Sequence, residues 1–170
     1  MVDIAEVVTK SAQETFDLGR KTAAGLKGGP AFASRPRRGK PTSVSRPRRG
    51  GEVLALTGPL GAGKTTFVQG LASGLGIKGR IISPTYVLMR EYEVGKEQRA
   101  KGLEKLYHVD FYRLDRAEEE VEMLGLPEIW ESSGNVVVIE WAEKVRSRLP
   151  KRTRWIRFGH EGEGRRITLK

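Results

Sequence analysis

The pattern most closely tied to chemistry in this chain is a glycine-rich run of eight residues. The pattern G-x-x-x-x-G-K-S/T is met by Gly58-Pro59-Leu60-Gly61-Ala62-Gly63-Lys64-Thr65, which follows an apolar run and precedes a helical pattern. Glycines let the backbone curl so that successive amides point at phosphate oxygens, and the start of a helix adds partial positive charge. The run therefore predicts a nucleotide phosphate site formed by seven consecutive residues: Leu60, Gly61, Ala62, Gly63, Lys64, Thr65 and Thr66.

Two side chains of this loop and one acid from elsewhere have defined tasks in such a site. Lys64 is expected to reach the β- and γ-phosphates, and the Thr65 hydroxyl to ligate Mg²⁺. The ion also needs an acid at the end of a neighbouring strand. Glu140 follows the apolar run 136–139 and Asp110 follows 106–109, so both carboxylates are candidates. The structural alternative for each is an acid that caps a strand and pairs with an arginine.

The elements that must position these residues are predicted from hydrophobic periodicity. The first helix begins at Ser11, where Ser11 and Glu14 form a capping box, and it ends near residue 27. Strands are predicted at 53–57, 81–82, 87–92, 106–111 and 135–141, helices at 65–75 and 117–124, and a loop at 93–103. A terminal hairpin is predicted from strands 155–158 and 166–169. Alternating strands and helices predict an α/β fold, with a mixed, mainly parallel sheet and a C-terminal antiparallel hairpin.

Composition narrows the class of protein. The chain has 170 residues, no cysteine and a formal net charge of +10. This length suits a single domain over 1–170. Without cysteine there is neither a disulfide framework nor a thiolate metal site. The apolar runs are too short to span a membrane, and the N-terminus carries acids where a signal peptide needs bases, so we expect a cytoplasmic protein.

The positive charge is concentrated in one segment. Between residues 28 and 51 the chain has seven arginines and lysines and no acid, which accounts for seven of the ten net charges. Within it the hexapeptide Ser-Arg-Pro-Arg-Arg-Gly occurs twice, at 34–39 and 45–50. Such a composition cannot bury enough apolar surface to offset its ordering entropy. We therefore predict a disordered basic insertion at 30–50.

The order of the motifs resembles the TsaE family (also called YjeE), small P-loop ATPases needed to make threonylcarbamoyladenosine in tRNA. The matching stretches are Ser11, Thr15 and Gly19 of the first helix, the loop 60–67, and the segments 83–86, 107–114, 119–125 and 139–141. The chain departs from the family at Pro59, where an aspartate is usual, and in the insertion 30–50. The match beyond residue 150 is weak.

The resemblance implies a P-loop NTPase-like fold, a Mg²⁺-dependent ATPase activity and a set of site residues. It implies ATP and Mg²⁺ as cofactors, with Glu140 on the metal and Asp110 in the catalytic or water-orienting role; an exchange of these two roles stays open. It also implies that Trp141 lies near the nucleotide and that Thr15 contacts it. The motif N-K-x-D, which recognises guanine, is missing, because Asn135 is the only asparagine and a valine follows it. This favours adenine over guanine as the base of the bound nucleotide.

The resemblance further implies partners. ATP binding and slow hydrolysis would reset a complex of TsaB- and TsaD-like proteins, on which the threonylcarbamoyl transfer takes place. We interpret the basic insertion 30–50 as a solvated loop without a specific role; contact of its seven basic residues with tRNA phosphates is the functional alternative. No arginine is singled out as one that stabilises the transferred charge, so a partner is a possible source of it.

Several residues near the motifs have a structural interpretation beside a functional one. We interpret His108 as a partly buried, hydrogen-bonded histidine, Ser83 and Thr85 as turn residues around Pro84, and Arg113 as a member of an ion pair. Contact with the site is the alternative for each.

Two other functions compete with the accessory ATPase. One is a P-loop kinase of small metabolites with a lid of four arginines: Arg146, Arg148, Arg152 and Arg154. The other is a basic RNA-binding module with a decayed phosphate loop.

Overall fold

The computed structural model describes residues 5–28 and 50–170. The predicted insertion 30–50 lies outside the described residues except for Gly50, so its predicted disorder stays a prediction. The described residues form seven strands: β1 (Ala5–Thr9), β2 (Glu52–Thr57), β3 (Met89–Glu93), β4 (Lys105–Asp110), β5 (Asn135–Glu140), β6 (Arg154–Glu161) and β7 (Gly164–Leu169). The helices are α1 (Ala12–Ala24), α2 (Lys64–Gly74), α3 (Lys96–Arg99), α4 (Ala117–Met123) and α5 (Leu126–Glu131), followed by a 3-10 segment (Ala142–Arg148). None of the helices in this part of the chain has the length and apolar character needed to cross a membrane.

All seven strands belong to one mixed sheet, in the order β1-β7-β6-β2-β5-β4-β3. The four central strands β6, β2, β5 and β4 are parallel. Strands β3 and β7 run antiparallel to their neighbours, and β6 and β7 form a hairpin. The predicted fold is confirmed: the sheet is mixed, is parallel at its centre and contains a C-terminal antiparallel hairpin. The carboxyl ends of the central strands therefore meet at one edge.

Helices cover both faces of the sheet. One face packs against α1 and α2 through alternate strand residues such as Leu54, Leu56 and Val138. The other face packs against α4, α5 and the 3-10 segment through Val53 and Ile139, among others. Because β5 is buried on both faces, its sequence reads as a continuous apolar run rather than an alternating one.

Helix α1 lies directly against α2, and glycines permit the close approach. A Cβ atom on Gly19 would lie 2.1 Å from the Phe67 carbonyl oxygen, and one on Gly70 would lie 1.8 Å from the Phe16 carbonyl oxygen. Both distances are far inside van der Waals contact, so no side chain fits at either position. The contact fixes α2, and with it the loop that precedes α2.

The start of α1 differs in one detail from the predicted capping box. The Ser11 hydroxyl accepts a hydrogen bond from the Glu14 amide at 3.1 Å, as predicted. The Glu14 carboxylate, however, accepts from the Lys10 amide at 2.8 Å, one residue before the cap. Strand β1 ends at Thr9, so the chain turns sharply there and brings the Lys10 amide within reach.

Several predicted elements were wrong or missing. Ile81 and Ile82 form no strand; the Ile81 carbonyl instead accepts from the Gln69 side chain at 3.1 Å. Strand β3 begins at Met89 rather than at residue 87, because the backbone of 84–88 forms a turn in which the Pro84 carbonyl accepts from two later amides. The predicted loop 93–103 contains the short helix α3, and neither β1 nor α5 was predicted.

Candidate functional site

The glycine-rich loop joins β2 to α2 at the carboxyl edge of the sheet. Gly63 is the N-cap residue of α2, with φ of 96°, a left-handed conformation that favours glycine, and no side chain caps the helix. The first amides of α2 therefore lack the usual side-chain acceptor. Amides of this kind at a helix start are suited to an anion.

Lys64 folds back onto its own loop. Its ammonium group donates hydrogen bonds to the carbonyl oxygens of Gly58 at 2.7 Å and Pro59 at 2.8 Å. It also lies 4.3 Å from the centre of the Trp141 ring, in a cation–π contact. The residue is only 4% exposed. This burial lowers the pKa of Lys64, against the opposing attraction of nearby carboxylates, chiefly Glu140.

Glu140 connects the loop to the end of β5. Both of its carboxylate oxygens lie 3.0 Å from the Thr65 hydroxyl, which donates to them. One of these oxygens also lies 2.9 Å from Nε2 of His108. His108 is completely buried, not partly buried as predicted, and Nδ1 of its ring has no partner among the residues described. The carboxylate is thus held between the loop hydroxyl and a buried imidazole.

Asp110 stands beside Glu140 but has different partners. The two residues are directly opposite each other in the register of the parallel strands β4 and β5. One Asp110 oxygen accepts from the hydroxyls of Ser83 at 2.7 Å and Thr85 at 2.6 Å, and the other accepts from the Tyr112 amide at 2.9 Å. The loop 83–85 therefore packs on Asp110, whereas Glu140 contacts the phosphate loop.

These residues surround a cleft of about 280 Å³. Nine of the eleven predicted site residues line it: Leu60, Gly61, Gly63, Lys64, Thr65, Thr66, Asp110, Glu140 and Trp141. Ser83, Thr85 and Tyr112 line it as well. The Tyr112 ring lies 5.1 Å from that of Trp141. Tyr112 was part of a recognised motif, but its spacing alone assigned it no role in the site.

Two predicted site residues lie behind the loop rather than in the cleft. Ala62 is completely buried. Thr15 is also completely buried, and its hydroxyl lies 2.8 Å from that of Thr9. A Cβ atom on Gly63 would lie 3.2 Å from the Thr15 methyl group, so Thr15 supports the loop from α1. Its predicted contact with a nucleotide stays a prediction.

The oxygen donors of the cleft fit a magnesium ion that shares its ligands with a nucleotide. Mg²⁺ prefers oxygen ligands and is usually bound through one or two protein groups together with substrate phosphates and water. The Thr65 hydroxyl and the Glu140 carboxylate form such a pair. Within residues 5–28 and 50–170, no three acidic, histidine or cysteine side chains gather closely enough to hold a metal by themselves.

The arginines considered from the sequence lie in other contacts. Arg113 stacks on the Tyr86 ring at 4.2 Å and donates to its hydroxyl, instead of forming the predicted ion pair. Arg146 stacks on Trp155. The other three residues of the predicted lid pair with acids: Arg148 with Glu122, Arg152 with Glu131, and Arg154 with Glu52. Glu52 begins β2, at the opposite edge of the sheet from the cleft.

Large apolar side chains are exposed on the segments that form the cleft. We call five of them the apolar rim: Leu60, Ile82, Tyr86, Val87 and Tyr112, which are 40 to 80% exposed. They come from the phosphate loop and from the segments that lead into and out of the Ser83–Thr85 turn and Asp110. Exposed apolar residues grouped in this way are typical of a surface that binds another molecule.

Comparison with known proteins gives a consistent result. The family model described as "Threonylcarbamoyl adenosine biosynthesis protein TsaE" matches residues 9–167. Proteins named tRNA threonylcarbamoyladenosine biosynthesis protein TsaE are similar: 41% identical over 68% of this chain in Bacillus subtilis, and 42% over 56% in Synechocystis. The matched region spans 66% and 57% of the lengths of these two relatives.

A solved structure agrees with the sequence comparison. The crystal structure of YdiB from Bacillus subtilis superposes with a TM-score of 0.69 at 33% identity, and the match covers 99% of this chain and 86% of that one. The match includes the region beyond residue 150, where the motifs gave little resemblance. With the family model covering nearly all of the described residues, the chain belongs to the TsaE family.

Proposed function

We propose that this chain binds and hydrolyses ATP with Mg²⁺ and serves tRNA threonylcarbamoyladenosine synthesis by acting on partners of the TsaB and TsaD type. The observation that carries the proposal is the contact between Thr65 on the phosphate loop and Glu140 on β5, with Asp110 in register beside it. Membership of the TsaE family supports the pathway. We propose the cytoplasm as the compartment.

The loop amides and Lys64 form the phosphate-binding part of the proposed site. The uncapped start of α2 offers amides to phosphate oxygens, and the buried ammonium of Lys64 adds a full positive charge. Desolvation makes the ammonium costly where it stands, so exchange of its two carbonyl partners for phosphate oxygens is favourable. The negative charge of the triphosphate would oppose the desolvation that lowers the pKa of Lys64.

Thr65 and Glu140 would hold the magnesium ion, and Asp110 would orient the attacking water. The ion supplies positive charge that stabilises the charge developing on the phosphate oxygens. In the hydrolysis itself, a water oxygen bonds to the γ-phosphorus while the bond from that phosphorus to the β–γ bridging oxygen breaks. ADP leaves with that electron pair; one proton of the water stays on the inorganic phosphate as its hydroxyl, and the other passes to a phosphate oxygen or to Asp110.

The cleft lacks one element found in fast P-loop enzymes. None of the cleft-lining side chains in the part of the chain that the structure describes is an arginine. Positive charge from an arginine strongly accelerates phosphoryl transfer in such sites. We propose that hydrolysis by the isolated chain is slow and that a partner docked on the apolar rim accelerates it.

The contacts of the four arginines considered for a lid give the kinase alternative less support than the accessory ATPase. A lid requires basic side chains that are free to close over the phosphates. Of the four arginines considered for this task, one stacks on Trp155 and three form ion pairs, one of them at the far edge of the sheet. We therefore retain the accessory ATPase as the single proposal.

The proposal is tested by measuring ATP hydrolysis with and without the TsaB- and TsaD-like pair. We expect slow turnover alone, stimulation by the pair, and loss of both in Glu140→Ala. Glu128→Ala is the matched control, because Glu128 is an exposed acid on α5. Phosphate transfer to a small acceptor without the pair would contradict the proposal in favour of a kinase, and turnover of Glu140→Ala equal to wild type would refute the site.

The basic segment 30–50 is proposed to contact tRNA phosphates, a proposal that rests on its sequence alone. A variant without it should hydrolyse ATP at the basal rate of the full chain but bind tRNA more weakly. The difference in tRNA affinity should shrink as salt rises, because phosphate contacts release counterions. Equal tRNA affinity at low salt would contradict this part of the proposal.

A further inference from the structure

The C-terminal hairpin brings an arginine to the outer side of the phosphate loop. Arg165 lies on β7, where its backbone is in register with Thr9 of β1 and His160 of β6. A Cβ atom on Gly63 would lie 3.4 Å from Cδ and 3.6 Å from Nε of Arg165. The stem of this arginine therefore packs on the residue that caps α2, from the side where Thr15 supports the loop.

The charge of Arg165 has no counterpart in the described structure. The side chain is half-buried, and among residues 5–28 and 50–170 it forms neither an ion pair nor a side-chain hydrogen bond. Its neighbour Arg166 shows the opposite behaviour, since it is exposed and pairs with Glu6 at 3.0 Å and Glu161 at 2.6 Å. Successive residues of a strand point to opposite faces of the sheet, so the side chains of Arg165 and Arg166 have different neighbours.

The position of this charge is unfavourable without an anion. The start of a helix carries partial positive charge, which repels a cation and attracts phosphate. Arg165 stands next to that end of α2 and beside a loop that already contains Lys64, and no acid among the described residues pairs with it. An anion bound at the loop would attract Arg165, Lys64 and the start of α2, and so offset both repulsions.

We propose that Arg165 is a nucleotide-binding residue, whose guanidinium donates to phosphate oxygens of the bound nucleotide from the outer side of the loop. The inference rests on the proposed function, because it requires a nucleotide at this loop. Lys64 meets the phosphates from within the loop, and Arg165 from outside it. A guanidinium suits this task because its planar set of donors can bind two oxygens at once.

The test compares two adjacent arginines of one strand. Arg165→Met keeps the stem against Gly63 and removes the charge, and Arg166→Met makes the same change on the other face. Titration calorimetry with Mg·ADP and Mg·ATP should give a Kd raised about tenfold or more in Arg165→Met. Arg166→Met should stay within about twofold of wild type, and Arg165→Lys should lie between. The difference in nucleotide Kd between wild type and Arg165→Met should become smaller at high salt, because salt screens the charge of Arg165.

The inference is overturned if Arg165→Met binds both nucleotides within twofold of wild type, or if Arg166→Met weakens binding equally, which would indicate general charge loss. Circular dichroism verifies folding; should Arg165→Met fail to fold, Arg165→Gln replaces it as the neutral variant, and a Kd within twofold of wild type in Arg165→Gln overturns the inference. Lys64→Ala separates the two proposals. Retained affinity in Lys64→Ala refutes the proposed function, whereas affinity lost in Lys64→Ala but kept in Arg165→Met refutes the role of Arg165 alone.

Discussion

The hydroxyl of Thr65 donates to both carboxylate oxygens of Glu140 at 3.0 Å, although the two residues are 75 positions apart in the chain. This contact joins the start of α2 to the end of β5 across the carboxyl edge of the sheet. It also separates the two acids of the cleft, because Asp110 contacts the hydroxyls of Ser83 and Thr85 instead. The two carboxylates are neighbours in register but are held by different parts of the chain.

Glu140→Gln should abolish the dependence of ATP binding on Mg²⁺. The amide keeps the shape of the side chain and an oxygen that accepts from Thr65, but it removes the charge that a divalent cation requires. We expect the ratio of the ATP Kd without and with Mg²⁺ to fall close to one, as measured by calorimetry in EDTA and in Mg²⁺. A ratio unchanged from wild type would show that Glu140 is not on the metal.

Asp110→Asn should slow hydrolysis while leaving ATP affinity nearly unchanged. Loss of a carboxylate that orients or deprotonates water typically lowers a rate by about one hundredfold or more. Single-turnover hydrolysis and the ATP Kd would be measured together, with the exposed Asp115→Asn as control. If Asp110→Asn instead loses its Mg²⁺ dependence and Glu140→Gln keeps it, the roles of the two acids are exchanged.

The free energy of unfolding should carry a pH dependence that comes from Lys64. Burial lowers the pKa of Lys64 from its ordinary value of 10.5, so the unfolded chain binds this proton more tightly than the folded protein does. Between the lowered pKa and 10.5 the unfolded state holds more protons, and the contribution of Lys64 to stability rises with pH. The stability of wild type relative to Lys64→Met should therefore rise over that range in urea denaturation without nucleotide.

Lys105→Met provides a control of opposite sign for this measurement. The ion pair with Glu91 raises the pKa of Lys105 above 10.5, so its contribution is complete below pH 10.5 and is lost above that pH. Between the lowered pKa of Lys64 and pH 10.5, the free energy of unfolding of wild type relative to Lys105→Met should stay constant, whereas that of wild type relative to Lys64→Met rises. If the difference in free energy of unfolding between wild type and Lys64→Met is also independent of pH, burial does not lower the pKa of Lys64.

Gly70→Ala should destabilise the fold, whereas Gly25→Ala should not. A methyl group at Gly70 would meet the Phe16 carbonyl at 1.8 Å, so α1 and α2 must separate, at a cost of about 2 kcal/mol or more. At Gly25 the nearest atom would be 3.5 Å away and φ is −87°, so the change should stay within about 0.5 kcal/mol. Urea denaturation of both variants measures the difference. Equal stability would mean that the helices can move apart without loss.

The sequence by itself was sufficient for the elements with strong local signals. The apolar run of β5, the capping serine of α1 and the glycine-rich loop each encode their structure within a few residues, and all three were predicted correctly. Strand β1 has mostly exposed residues, and its position depends on pairing with β7 from the other end of the chain. The hydrophobic periodicity of a short segment does not predict pairing with a strand from a remote part of the chain. Ile81 and Ile82 show the reverse case, in which an apolar pair forms no strand because the neighbouring backbone turns away.

For the site, the sequence determined which residue types stand at the carboxyl edge: a lysine, hydroxyls and two acids. Only the tertiary structure decided which of these groups touch, because β4 and β5 are separate strands whose register places Asp110 opposite Glu140. It also placed His108 against Glu140 and Arg165 against Gly63, contacts between residues 32 and 102 positions apart that no spacing rule connects. Residue types follow from the chain, but distances between remote residues follow from how the sheet and its helices pack.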